Sequence, residues 1–147
     1  MSKRDKSQLM TPVSFPANPS DDDQAVYNTI TPSLLLDIFD EPIVFHRAFV
    51  GITGSAAAAL FLSYAVYTTE NLPIENEGWF EKSHEEWRVE TGLTRFEQRN
   101  ARRILVEQEI LIERRYGMPA RLIYKVRTDR LLELLTLRAD ARWAGVL

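Results

Sequence analysis

Arg95, Arg99, Arg102 and Arg103 crowd into one short stretch, with Phe96 and Asn100 among them and Thr94 just before. A guanidinium group can hold a phosphate or pair bidentately with a guanine edge, and an asparagine amide can pair with adenine. Three further arginines, Arg114, Arg115 and Arg121, bracket Tyr116-Gly117-Met118-Pro119. The chemistry open to these residues is anion binding and base-edge hydrogen bonding. Catalysis finds little material. The chain has no cysteine, which removes thiol nucleophiles and cysteine-ligated metals. His46 and His84 are its two histidines, and neither has a HExxH-type partner, so no metal site is expected. No carboxylate is marked by a glycine-rich loop or a nucleophile elbow, and the chain is not expected to be an enzyme.

The elements that would position the arginines are written in local signals. Ser83-His84-Glu85-Glu86 has the form of a capping box, the Ser83 hydroxyl accepting from the Glu86 amide and the Glu86 carboxylate from the Ser83 amide. This predicts a short helix ending near Thr91, closed by positive φ at Gly92. Thr94-Arg95-Phe96-Glu97 repeats the box and opens a second helix to about Gln108. Two capped helices separated by Gly92-Leu93 have the spacing of a helix-turn-helix. On the second helix, Ala101, Ile104 and Leu105, with Gln98 beside them, form the inward face. Arg95, Phe96, Arg99, Arg102 and Arg103 fall on the other side. Two readings of Phe96 stand, contact with a thymine methyl or cover for the neighbouring turn. The arginines also have two, a groove-facing set or a salt-bridged surface in which Arg103 meets Glu107 and Arg99 meets Glu97 or Glu90. Next, Ile110–Arg115 and Arg121–Val126 are β-rich runs around a Gly/Pro turn, which predicts a hairpin with a basic tip. Helix, turn, helix, hairpin is the order of a winged helix-turn-helix, the hairpin being the wing.

Charge is distributed unevenly. The 147 residues carry a net −3, but residues 1–81 hold four Lys/Arg against eleven Asp/Glu, while residues 82–130 hold twelve against eight. The positive excess falls on the proposed reading element. Residues 1–30 are expected to be a disordered or extended tail, rich in Ser, Pro and charge, in which Asp21-Asp22-Asp23 is a solvated run. Its basic start is followed by no apolar segment, so no secretory signal is expected. Thr31-Pro32 predicts a capped short helix over 33–39, and Pro42-Ile43-Val44-Phe45 an extended arm or strand. Ala48 to Thr69 is free of charge and long enough to span a bilayer, but its glycines, serine and four alanines read better as a buried core helix from Gly54 to about Thr68. Trp79-Phe80 suits a strand edging the hairpin. After the hairpin, Thr128-Asp129 predicts a cap for a last helix through about Ala139, its Leu131, Leu134 and Leu135 packing on the core or on a second copy.

The expected fold is thus α+β and mostly helical: a winged helix-turn-helix over residues 31–139, with extra helices at both ends and a tail at 140–147. The runs Gly78-Trp79-Phe80-Glu81-Lys82-Ser83, Glu86-Trp87, Glu90-Thr91-Gly92-Leu93-Thr94-Arg95, Glu97-Gln98, Ala101-Arg102 and Gly117-Met118-Pro119-Ala120-Arg121 resemble a family. It is that of winged-helix DNA-binding proteins of phages, plasmids and integrating elements, often associated with replication initiation or replisome organisation. Thr53-Gly54-Ser55 and Ala59-Leu60-Phe61-Leu62-Ser63 fit the same pattern, so the resemblance covers roughly 43–135. It implies a cytoplasmic protein without cofactor that binds double-stranded DNA through the second helix and the wing, in regulation or replication. The candidate DNA-binding residues, from the helix face and the wing tip, are Thr94, Arg95, Phe96, Arg99, Asn100, Arg102, Arg103, Arg114, Arg115 and Arg121. Homodimers and a host or replication protein are further expected partners, a protein-binding module is the alternative role, and no membrane is expected. Glu109 stands at a corner where such proteins commonly have glycine, and no helicase-loading domain follows, so a standalone regulator or accessory factor is expected.

Overall fold

A 15-residue apolar helix supplies the centre. The computed structural model describes residues 29–145, so the expectations for the first 28 residues and for Val146 and Leu147 lie outside the described residues. The described chain is α+β and mostly helical, dividing into a unit ending at Pro42 and one from Ile43 onward. In the first unit, α1 (Pro32–Phe39) is capped by Thr31, whose hydroxyl accepts from the Leu34 amide at 3.2 Å. Its Leu34, Leu35, Leu36, Ile38 and Phe39 are all exposed.

In the second unit, residues 43–46 belong to no strand, and a helix that the sequence reading did not include follows: α2 (Arg47–Thr53). It was hidden by Gly51 and by β-branched Val50, Ile52 and Thr53, which weaken helical propensity. A Cβ at Gly51 would first meet the guanidinium end of the flexible Arg138 side chain. Ser55 then caps α3 (Ala56–Glu70), accepting from the Ala58 amide at 3.2 Å. No single helix among the described residues is long and apolar enough to cross a membrane. Only α2 and α3 together pass that test, and they are bent by 118°. Ala58, Ala59, Phe61, Leu62 and Ala65 of α3 are buried, which directs this apolar surface into the protein's own core.

A three-residue strand β1 (Trp79–Glu81) leads to α4 (His84–Thr91), then α5 (Arg95–Glu107), β2 (Leu111–Tyr116), β3 (Arg121–Val126) and α6 (Thr128–Trp143). The sheet has order β1-β3-β2 and is antiparallel throughout, with Phe80 opposite Tyr124 and Leu111 opposite Val126. Helix α3 packs against α2, α5 and the sheet. At the junction Phe61 stacks on Trp87 with ring centroids 3.9 Å apart, and Tyr124 meets Trp87 edge-on at 5.9 Å. Fully buried aromatics of this size dominate the stabilisation of a small core; truncating one typically costs about 3–5 kcal/mol.

The last helix departs from expectation at both ends. Arg127 stands at its N-cap without a side-chain capping bond, and Asp129 instead accepts from Arg127 at 2.9 Å. It continues past Ala139 to Trp143 because Arg138-Ala139-Asp140-Ala141-Arg142 contains no breaker before Gly145. Leu131 is buried and Leu134 and Leu135 half-buried against the core, whereas Leu132, Leu137 and Trp143 are exposed.

Candidate nucleic-acid interface

Two capping boxes set the arginine-bearing helix in place. In α4 the Ser83 hydroxyl accepts from the Glu86 amide and the Glu86 carboxylate from the Ser83 amide at 2.7 Å. In α5 the Thr94 amide and hydroxyl each donate to Glu97 Oε2 at 2.8 Å. Between them Gly92 has φ 73, a conformation glycine reaches without the steric cost of a Cβ. Gln98 fixes the angle between the helices. It is buried, and its Nε2 donates to the carbonyls of His84 and Leu93, both at 2.9 Å. The inward face of α5 is Gln98, Ala101 and Leu105, with Ile104 half-buried.

Between α5 and the β2–β3 hairpin lies a cleft of about 510 Å³. Arg95, Arg99 and Arg102 line it from α5, Arg115 and Arg121 from the hairpin, and Ser83 and His84 from the start of α4, while Glu81 is its one carboxylate. These arginines are not equivalent. Arg102 lies at the floor with its side chain 17% exposed, its Nε 3.1 Å from Glu113 and its Nη1 donating to the Tyr124 hydroxyl at 3.3 Å. The sequence reading put Arg102 among the outward residues; its partners come from β2 and β3 and draw it inward. Burial raises the Tyr124 phenol above its ordinary range, and the Arg102 guanidinium partly opposes that. Arg121 pairs with Glu81 at 3.4 Å. Arg95, Arg99 and Arg115 have no carboxylate partner among the described residues. Glu97 is engaged by its cap and Glu90 by Lys82, so neither expected pairing of Arg99 forms.

The remaining candidates lie elsewhere. Arg114 projects from the opposite face of the hairpin, 4.7 Å over the Trp79 ring, because neighbouring strand residues alternate sides. Arg103 donates to Glu107 at 3.0 Å and to Asn100 Oδ1 at 2.8 Å, the salt-bridged alternative for this residue. The Thr94 side chain is occupied by its cap. Phe96 is 76% exposed, which removes the reading in which it covers the neighbouring turn. The sequence reading missed His84, Tyr124 and Glu113 as parts of this site; Glu113 was legible only as a strand residue whose face was unknown. Among the described residues there is no cluster of His, Asp and Glu able to hold a metal.

Comparison with known proteins gives no counterpart: no family model, no curated protein and no solved structure matches the chain.

Proposed function

We propose that this chain binds double-stranded DNA as a winged helix-turn-helix, α5 entering the major groove and the β2–β3 hairpin acting as the wing. One observation carries the reading: Arg95, Arg99 and Arg115, from two elements, line a single cleft, and among the described residues none of the three is paired with a carboxylate. Cations left unpaired around a concave surface favour a polyanion, and a DNA strand supplies phosphates at the needed density. In this assignment Arg99 and Arg115 hold phosphates on the two sides of the cleft. Arg102, tied to Glu113 and Tyr124, positions α5 against the hairpin. The setting in a phage or plasmid, in regulation or replication, rests on the sequence resemblance.

The test is duplex retention at two salt concentrations. Arg99→Ala and Arg115→Ala are each expected to weaken retention about tenfold at low salt and to flatten its salt dependence by about one unit of slope. Arg103→Ala, already paired with Glu107 and Asn100, should change it less than threefold. Retention absent in the wild type, or insensitive to Arg99 and Arg115, refutes the proposal. A second reading, a protein-binding module, is favoured by the exposed apolar residues of α1, and would then stand alone.

A further inference from the structure

We infer that Phe96 selects for thymine by contacting its 5-methyl group in the major groove; this rests on the proposed binding of duplex DNA by α5. Phe96 is the second residue of α5 and stands 76% exposed at the end of the helix that leads into the site. Its spacing places it in file with Asn100, Arg103 and Glu107, opposite the buried Gln98, Ala101 and Leu105. That outermost file carries no net charge, since Arg103 is bridged to Glu107 at 3.0 Å and bonded to Asn100 at 2.8 Å. Arg95 and Arg99, without an ion-pair partner among the described residues, lie instead on the side turned to the cleft.

Helix α5 therefore has two chemically distinct exposed faces, a cationic one towards the hairpin and a neutral one led by an aromatic ring. Phosphates suit the first and not the second. Among the base edges of the major groove, the apolar group is the thymine methyl. A ring that leads the neutral face into the groove removes that methyl from water. The Asn100 amide, one turn further on and held by Arg103, keeps its N–H donors for a neighbouring base acceptor.

The test uses a duplex selected by the wild-type protein from a random pool, with thymines replaced one at a time by uracil. That exchange deletes the methyl and leaves charge and pairing unchanged. At one thymine per bound protomer, uracil is expected to weaken the wild type about fourfold, the worth of one buried methyl-sized group. Phe96→Ala should bind the thymine and uracil duplexes equally, and Phe96→Leu should restore part of the difference. Phe96 is exposed, so the variants are expected to keep the wild-type circular dichroism and melting temperature. Retained duplex binding with no uracil-sensitive position, or with the same sensitivity in Phe96→Ala, overturns the inference alone. No duplex binding at all overturns the underlying reading, and this one with it.

Discussion

Glu109 holds a conformation that its side chain does not favour. It follows α5 with φ 61, in the left-handed region, at the corner where the chain turns into the hairpin. The corner is fastened on both sides, by the Glu109 amide donating to Val106 O at 3.0 Å and the Ile110 amide to Leu105 O at 2.9 Å. An L-residue with a Cβ pays about 1–2 kcal/mol for this region and glycine does not. Glu109→Gly is therefore expected to stabilise the fold by about 1 kcal/mol, after allowing for the greater entropy of glycine in the unfolded chain. A denaturant midpoint that moves down instead would mean that the Glu109 side chain contributes more than its backbone costs. The sequence places Glu109 where such proteins commonly have glycine, and the structure holds it at φ 61, a conformation that glycine adopts without strain.

At the scale of elements, what was legible in the sequence was what is local. Both capping boxes and the Gly92 turn follow from residues within a few positions. Arg102 and Arg114 were not legible as site or non-site residues. Which way each points depends on Glu113, Tyr124 and Trp79, brought near only by tertiary packing. The capping boxes also carry a pH dependence. The carboxyls of Glu86 and Glu97 are held below the ordinary 4.5, chiefly by the backbone amides of Ser83 and Thr94. Their folded pKa values lie below the unfolded ones, so the stabilisation is fully present above 4.5 and is lost as pH falls through the folded values. The starts of α4 and α5 should thus fray in acid, with the Ser83 and Thr94 amide resonances titrating below pH 4.5. Glu97→Gln, which keeps the box geometry, should abolish the Thr94 titration. A Thr94 amide that titrates at or above 4.5 would show that the carboxylate is not held by the cap.

At the scale of the molecule, apolar burial and charge are divided along the chain. Among the described residues, the hydrophobic core lies between Phe49 and Leu135, inside the unit that begins at Ile43. Residues 1–42 hold three Lys/Arg against seven Asp/Glu, which leaves residues 43–147 with fifteen against fourteen. A fragment of 43–147 should therefore fold with a melting temperature within a few degrees of the full chain, because it keeps every core residue among those described. It should also bind duplex more tightly, because four net negative charges no longer accompany the arginine cleft towards a polyanion. Screening fixes the form of the effect. With a Debye length of about 30 Å at 0.01 M salt and about 8 Å at physiological strength, the gain should be several-fold at low salt and shrink towards none as salt rises. A gain that persists unchanged at high salt would point to a contact made by residues 1–42 rather than to their charge. A fragment that folds and binds no better at any salt would show that the acidic segment does not act on binding, and the charge asymmetry would then need a partner other than DNA.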